Sequence, residues 1–279
     1  MCQFCQEHGE GKKWYLQAKN YSEDLLSDLE RRKLIVNFFS HPEALPNTIA
    51  QLEQVSQSPD FIRAVMTPER SNRQKKSHFG QVLPIEDVER IFSFVTSVVR
   101  MACYCRQSVT GPEQRYCYAV SLAPQGGEFT KILRGIDASY LTGPDTAGLE
   151  TLNKDEALAS LHEHEQEGMC HTVWLYAAPF IGSICNCDAD CGALRLAKYG
   201  MQMMFRAEYV AQVTPELCNG CRECMRICPF GAVRHSVALQ KVLIDPRQCH
   251  GCGICRTSCP KDAITLYERT SIPVAANIW

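Results

Sequence analysis

The sequence predicts an α+β protein with mostly helical N-terminal and central regions and a small C-terminal domain that contains a repeated motif. Two observations lead to this fold class: apolar residues recur at helical spacing in several segments, and a cysteine run near the C-terminus occurs twice. The expected domains are a helical N-terminal region (1–80), a central α/β region (81–211), the repeat domain (212–269) and a C-terminal tail (270–279).

The composition is that of a globular protein with a hydrophobic core, because 45% of the 279 residues are hydrophobic and 22% are charged. No apolar run reaches the roughly 18–20 residues that a membrane-spanning helix needs, so we expect no membrane span. The first residues lack the apolar centre of a secretion signal, and we therefore expect a cytoplasmic protein. A net charge of −2 argues against nucleic acid as a partner, because a basic surface is what neutralises phosphates.

The cysteine content is the extreme feature of the composition, with 17 cysteines in the chain. A disulfide-rich secreted protein is usually small and carries an even number of cysteines, and this chain has neither property. In a reducing compartment, thiolates at short fixed spacings are typical of metal or cluster ligands. We therefore expect several cysteines to bind metal.

In the N-terminal region, apolar spacing predicts an amphipathic helix over residues 22–39. Before this helix, Cys2, Cys5 and His8 form a C-x2-C-x2-H pattern. This spacing could give three ligands to zinc or to a cluster that is completed elsewhere in the chain. The alternative is a terminal segment with uncoordinated thiols.

The central region is predicted to hold helices over 84–102, 153–168 and 192–210 and a strand over 171–184, from apolar spacing and from a capping box that begins at Asn153. One C-x-C element follows the first helix, and another follows the strand. Because a predicted helix lies upstream of each C-x-C element, we expect an internal repeat. The cysteines of its two copies could converge on shared sites.

Six cysteines of the central region are candidate ligands, namely Cys103, Cys105, Cys117, Cys185, Cys187 and Cys191. They could supply one site with spare thiols, or two sites with three thiolates each. A three-thiolate site would need a fourth ligand, for which Cys170 is a candidate, or an open iron position. The expected group is an additional [4Fe–4S] cluster or zinc, with iron–sulfur favoured. The alternative is a set of inert buried thiols.

The C-terminal cysteines form a C-x2-C-x2-C-x3-C-P run that occurs twice, which is the ligand pattern of bacterial two-cluster iron–sulfur domains. The first three cysteines of each run can wrap one iron–sulfur cube, and the fourth leaves toward the other cube. The first predicted cluster is therefore held by Cys218, Cys221, Cys224 and Cys259. The second is held by Cys249, Cys252, Cys255 and Cys228. Zinc knuckles are the alternative, but their C-x2-C units usually lie further apart.

On this doubled run, residues 212–269 closely resemble the bacterial-type ferredoxins with two [4Fe–4S] clusters. The resemblance implies a ferredoxin-like domain of pseudo-two-fold βαβ type that moves single electrons. More loosely, residues 83–270 resemble ferredoxin-like proteins of anaerobic microbes, on the CYCR segment 103–106, the segment 167–171 and the ICNC segment 184–187. This second resemblance implies an electron-transfer subunit of an anaerobic oxidoreductase.

Three arginines lie within the two cysteine runs, namely Arg222, Arg226 and Arg256. A cation close to a cluster would favour its reduced, more negative form, because net charge tunes the reduction potential. The alternative is that these arginines are simply exposed on a small surface.

The leading hypothesis for function is a non-catalytic electron-transfer protein or subunit that serves a redox partner in a multi-subunit oxidoreductase. No GxGxxG or GxxxxGK[ST] motif indicates a nucleotide site. One alternative is a reductase whose additional cluster has an open iron for substrate. Another is a redox or oxygen sensor with a labile cluster, against which the charge balance and the lack of a basic recognition helix argue.

Overall fold

The structure is a computed structural model that describes residues 13–55, 76–111, 114–136, 149–199 and 201–278. Within these ranges the fold is α+β, as predicted. The helices there are α1 (Leu29–Ser40), α2 (Ala44–Val55), α3 (Ile85–Phe94), α4 (Tyr104–Thr110), α5 (Gly127–Arg134), α6 (Lys154–Gln166), α7 (Gly192–Lys198), α8 (Glu223–Ile227) and α9 (Ile254–Thr257). The strands are β1 (His78–Leu83), β2 (Ser97–Met101), β3 (Cys117–Ser121), β4 (Glu150–Leu152), β5 (Cys170–Tyr176), β6 (Ile181–Cys187), β7 (Met204–Phe205), β8 (Tyr209–Val213), β9 (Val233–Ser236), β10 (Lys241–Ile244) and β11 (Ile264–Glu268).

A seven-stranded sheet organises the central region, in the order β4-β2-β3-β6-β5-β1-β7. All neighbouring strands are antiparallel except β1 and β7, which are parallel. The expectation of a mostly helical central region therefore needs correction, because the helices there flank this sheet. The sheet also begins at β1, so that the predicted boundary between residues 80 and 81 falls within a strand.

Side chains that alternate along the strands build two hydrophobic cores, one on each face of the sheet. Val98 and Val99, for example, are both fully buried but belong to different cores. One core joins the sheet to α3, α6 and the segment around Trp14 and Tyr15. The other core joins the sheet to α1, α5 and α7. The sheet is therefore the middle layer of this part of the protein.

Helix α6 forms where the capping box predicts it. The Asn153 side chain accepts a hydrogen bond from the Glu156 backbone N–H at 2.9 Å, and the Glu156 carboxylate accepts one from the Asn153 N–H at 3.0 Å. Two of the backbone groups that a helix start leaves unpaired are satisfied in this way. Ala157 and Leu161 then face the sheet and are fully buried.

Two predicted helices are shorter than expected. The helix predicted over 84–102 ends at Phe94, where Val95 adopts an extended backbone, and β2 follows in a segment rich in β-branched residues. The helix predicted over 192–210 ends at Lys198 and is followed by β7 and β8. One C-x-C element consequently follows β2 and the other lies at the end of β6. The predicted repeat of a helix followed by C-x-C is therefore wrong.

The repeat domain consists of two halves, each with a strand, a cysteine loop, a short helix and a second strand. Corresponding residues of the halves lie 31 positions apart, as Cys218 and Cys249 do (249 − 218 = 31). The first strand of the first half, β8, pairs with the last strand of the second half, β11. The remaining two strands, β9 and β10, pair with each other. Each two-stranded sheet therefore contains one strand from each half.

The second half of the repeat domain packs against the seven-stranded sheet. Ile254 of α9 is 1% exposed and belongs to the same core as the strand residues Cys170 and Cys187. Arg256 forms an ion pair with Glu86 of α3, with 2.7 Å between Nη2 and Oε1. The cysteine loop of the second half thus lies at the interface with the sheet. No helix in the described parts of the chain is long and apolar enough to cross a membrane.

Candidate iron–sulfur and thiol sites

The two cysteine loops of the repeat domain share an unusual backbone conformation. Gly220 and Arg222 in the first loop have φ angles of +72° and +71°, and the corresponding Gly251 and Gly253 in the second loop have φ angles of +74° and +89°. Left-handed residues at these two positions turn the chain tightly, so that successive cysteines of one loop can face a common centre.

One group of thiols combines three cysteines of the first half with one of the second. Burial first, and then the neighbouring Cys259, Cys221 and Cys218, raise the pKa of Cys224 to about 11, because thiolates repel one another. Cys221 is exposed, whereas Cys218 and Cys224 are buried. We call this group site I.

A second group combines three cysteines of the second half with one of the first. Burial raises the pKa of Cys255, and Cys249 and Cys228 add to the rise. Cys252 is fully enclosed, and its pKa is raised by burial first and then by thiols that include Cys255 and Cys249. We call Cys249, Cys252, Cys255 and Cys228 site II. Cys224 of site I also raises the pKa of Cys255, so the two groups lie close to each other, and the assignment of four cysteines to each cluster stays a prediction.

In the sheet region, the six candidate cysteines line a single cavity, together with aromatic residues such as Phe39 and Tyr176. We call this the thiol cavity, and its cysteines are Cys103, Cys105, Cys117, Cys185, Cys187 and Cys191. Four of them, Cys103, Cys117, Cys185 and Cys187, meet because β2, β3 and β6 are adjacent in the sheet, and the ends of β2 and β6 lie beside the start of β3. Strand periodicity also places Cys185 and Cys187, two residues apart on β6, on the same face.

The six thiols form two groups of three. In the first group, Cys117 Sγ lies 3.4 Å from Cys103 Sγ, and Cys117 is also the register partner of Cys185 across β3 and β6. In the second group, the thiols of Cys105 and Cys187 lie within hydrogen-bonding reach of Cys191. Each C-x-C element therefore contributes one thiol to each group.

Cys191 has a thiol that is unusually easy to ionise. Its pKa is well below the ordinary value, first because the thiols of Cys105 and Cys187 donate hydrogen bonds to it. The Ala193 backbone N–H and the Arg106 guanidinium lower the pKa further, although burial opposes them. A thiolate is the form of cysteine that binds metals.

An ion pair between a buried arginine and a half-buried aspartate lies beside the thiol cavity. Two nitrogens of Arg106 lie 3.0 and 2.9 Å from the two carboxylate oxygens of Asp188, and only 3% of Arg106 is exposed. Its guanidinium also packs over the ring of Tyr116 at 4.8 Å. The cation is close enough to lower the pKa of Cys191. Sequence reasoning did not select Arg106, although it directly follows the first C-x-C element.

Cys170, the candidate fourth ligand, does not line the thiol cavity. It pairs in register with Cys187 across β5 and β6 and is fully buried. Burial raises its pKa, with smaller contributions from Cys191 and Cys228. Cys170 therefore lies between the thiol cavity and site II. The other candidate ligands, Cys2, Cys5 and His8, lie outside the described residues.

Within the described ranges, no group of three or more His, Cys, Asp and Glu side chains is arranged to hold a single metal ion. This holds for the thiol cavity and equally for sites I and II. A single zinc ion needs about four ligands at one point, whereas a cluster spreads its ligands over several irons. The donor set of the cavity, six thiols in two groups, therefore fits a cluster or a pair of centres better than one zinc ion.

The arginines of the cysteine loops are mostly exposed, but one buried arginine lies beside site II. Arg222 is exposed, and Arg226 is exposed and paired with Glu223 at 3.1 Å. Arg269 is 1% exposed, and its guanidinium donates to the backbone carbonyls of Ala207, Tyr209 and Cys249 at 2.8 to 2.9 Å. Nothing in the sequence around Arg269 indicates this position, because the contact depends on the pairing of β8 with β11.

The interleaved cysteine loops define an iron–sulfur domain of the ferredoxin class. Residues 217–264 match the family model of the 4Fe-4S dicluster domain. The C-terminal part of the chain is therefore a ferredoxin-type domain, and the matched span contains all the cysteines of sites I and II. Comparison with curated proteins and with solved structures gives no match.

Proposed function

We propose that this protein transfers single electrons through two [4Fe–4S] clusters at sites I and II and through a third metal centre in the thiol cavity. The observation that carries this proposal is the position of site II, which shares one buried core with the thiol cavity. Bound clusters supply reversible one-electron chemistry, and the chain supplies the ligands, the burial and the spacing.

Site II is the neighbour of the thiol cavity, with Cys170 between them. Cys252 of site II, Cys170 of β5 and Cys187 of the cavity belong to one hydrophobic core. The contact is close, since a Cβ atom on Gly168 would lie 2.6 Å from the side chain of Ile227 in α8. The residues that join the two sites are buried and closely packed, which brings the proposed centres near each other.

Site I faces away from the sheet and is the proposed contact point for a redox partner. Its Cys221 is exposed, and exposed apolar residues surround it, among them Leu217 and Met225. Val237 and Leu239 of the turn after β9 are also exposed, and this turn touches the site I loop at Gly220. Exposed apolar side chains beside a site are typical of interaction surfaces. We propose that this partner belongs to an oxidoreductase and that the protein works in a reducing, cytoplasmic environment, which its many free thiols favour.

The third centre is proposed to be iron–sulfur. The cavity offers more thiols than one zinc ion uses, and the Arg106 guanidinium beside it offsets part of the negative charge of several thiolates. Metal binding requires these thiols to be deprotonated. The raised pKa values of Cys105 and Cys187 therefore imply that these thiols release protons when the thiol cavity binds its metal centre.

Iron and sulfide analysis of anaerobically purified protein tests the proposal. Sites I and II account for about eight irons per chain, so a cluster in the thiol cavity should raise the count to about twelve or more. Changing one thiol in each group, with Cys117→Ala and Cys187→Ala together, should remove only the irons above eight. The EPR signals of the ferredoxin clusters should remain.

The matched control is Cys170→Ala, which removes a buried thiol that does not line the cavity. This variant should keep the full iron content. Wild-type protein that contains only eight irons, or zinc in place of the additional iron, would show that the third centre is wrong. Loss of iron from Cys170→Ala alone would show that the cavity ligands are misassigned.

A further inference from the structure

A second cavity of about 330 Å³ lies next to the thiol cavity, between α1, α2 and α7. Its mouth is formed by Asn37, His41 and Ala44, all of which are exposed. Its inner end is formed by Trp174 and Cys105. The volume is within the range of small-molecule sites, at the small end of that range.

The lining of this pocket is mostly apolar, and the described residues that form it include no acidic or basic side chain apart from two histidines. Phe38, Leu45, Leu196, Met201 and Met203 provide most of the walls. Of the two histidines, His41 is at the mouth, and His78 is buried with its Nδ1 2.8 Å from the Leu175 carbonyl oxygen. Burial lowers the pKa of His78 to about 4, so the inner part of the pocket is uncharged at neutral pH. A charged ligand would lose its hydration there without gaining a counter-charge.

Flat aromatic surfaces dominate the inner half of the pocket. The Phe38 ring lies 4.4 Å from the His78 ring and 4.6 Å from the Tyr104 ring, between ring centroids. The Trp174 indole stacks on His78 at 5.0 Å with 29° between the ring planes. Aromatic surfaces arranged in this way favour a planar ring as the ligand, and Met201 and Met203 add adaptable, polarizable contacts.

The pocket and the thiol cavity share part of their walls. Cys105 and Tyr104 line both of them. In addition, the Trp174 indole N–H donates to the Thr172 hydroxyl at 2.9 Å, and that hydroxyl lies 3.6 Å from Cys187 Sγ. A molecule in the pocket would therefore contact Cys105 and stack near Trp174. Trp174 is linked through the Thr172 hydroxyl to Cys187, which belongs to the same thiol group as Cys105.

We propose that this pocket binds a small, uncharged, aromatic molecule with its inner edge against Cys105. Binding of this molecule depends only on the pocket and does not require a third metal centre. The expected effect of the ligand on the third metal centre rests on the proposed function, because it requires that centre to exist.

Equilibrium dialysis of the purified full-length protein with 2-naphthol tests the binding. This probe is planar and uncharged at neutral pH, and 2-naphthoate has the same ring system with a negative charge. We expect saturable binding of one 2-naphthol per chain and binding of 2-naphthoate that is at least about tenfold weaker. No saturable binding of 2-naphthol, or equal affinity for the two probes, would overturn the proposal.

Two substitutions that replace an alanine of α2 with tryptophan locate the bound molecule. Ala44→Trp puts a large side chain into the mouth of the pocket and should weaken 2-naphthol binding at least about tenfold. Ala50→Trp makes the same change at an exposed position of the same helix that does not line the pocket, and should leave the affinity unchanged. Equal affinities in the two variants would overturn the proposed location, with circular dichroism used to check that both are folded.

An EPR measurement separates this inference from the proposed function. In iron-loaded protein, 2-naphthol should change the signal of the third centre and leave the signals of the ferredoxin clusters unchanged. If iron analysis finds no third centre, the proposed function fails. The dialysis result still decides whether the pocket binds 2-naphthol. If a third centre is present and its signal does not respond to bound 2-naphthol, the placement against Cys105 is overturned.

Discussion

Arg269 shows how a single buried charge can adjust one of two otherwise similar sites. Its guanidinium is enclosed and makes three hydrogen bonds to carbonyl groups, one of them to Cys249 of site II. Burial lowers the pKa of Arg269 only to about 10, so that it keeps its charge at neutral pH. At the corresponding end of the first half, 31 residues earlier, the sequence has the uncharged Ala238. Site I instead has Lys241, which is half-buried and whose ammonium donates to the Cys218 carbonyl, so the two sites differ in how deeply the nearby cation is buried.

We predict that Arg269→Gln lowers the reduction potential of the site II cluster. Removing a nearby cation destabilises the reduced, more negative state, and an attraction of about 2–3 kcal/mol in a partly polar interior corresponds to a shift on the order of 100 mV. An EPR-monitored redox titration of the two clusters would measure it. Site I should change much less.

Two variants check the cause of that shift. Arg269→Lys keeps the charge and should leave the potential of site II close to that of the wild type. Arg226→Gln removes an arginine whose side chain is 79% exposed, where solvent screens the charge, and should have little effect. A site II potential that falls equally in the Lys and Gln variants would assign the effect to lost hydrogen bonds.

At the scale of elements, the repeat extends from the cysteines to the backbone. The left-handed residues Gly220 and Arg222 recur as Gly251 and Gly253, and Gly231 recurs as Asp262, which also has a positive φ. The space for a side chain differs among these positions, because some are closely packed against other atoms and others are open. A Cβ atom on Gly251 would lie 2.2 Å from the Tyr209 carbonyl oxygen, whereas a Cβ atom on Gly231 would meet nothing within 4 Å.

We predict that Gly251→Ala destabilises the domain more than Gly231→Ala. Both changes force alanine into a left-handed conformation, which costs about 1 kcal/mol or more, but only the first also produces a backbone collision. Gly251→Ala should therefore lower the free energy of unfolding by about 3 kcal/mol or more and weaken iron retention at site II. Denaturant titration and iron analysis of both variants would measure this, and equal losses would contradict the packing argument.

The elements that sequence could predict are those with local signals. The capping box of Asn153 and Glu156 marks the start of α6, and the prolines after the cysteine runs mark the turns that enter β9 and β11. Strand β2 escapes prediction because Val98 and Val99 are both buried, one on each face of the sheet. A strand that is covered on both sides has no alternation of apolar and polar residues, so its pattern resembles that of a buried helix.

At the scale of the whole molecule, the domain arrangement gives the three sites different environments. Site I contains the exposed Cys221, site II is pressed against the sheet through Cys252 and Ile254, and the thiol cavity lies between one face of the sheet and α1. The local cysteine spacing predicts the first two sites. Cys103 and Cys185 come together only because strands that are far apart in sequence are neighbours in the sheet. The spacing of the cysteines along the chain could therefore suggest that these two thiols are close but could not establish it.

This arrangement predicts that an oxidant attacks the two ferredoxin clusters at different rates. Ferricyanide should degrade the cluster at site I first, because one of its ligands is exposed, whereas three of the ligands at site II are buried. The decay of the two EPR signals after dithionite reduction would measure the rates. Ile254→Ala, which loosens the packing beside site II, should accelerate only the loss of the second cluster. Equal rates in the wild type would contradict this arrangement.

The pairing of β8 with β11 has a consequence for biosynthesis. The ribosome makes the chain from its N-terminus, so the strand Ile264–Glu268 emerges only after β8 and both cysteine runs. Until it does, β8 lacks its partner. Neither half can finish its fold while the other is missing, so we expect iron to be inserted only after β11 has been made.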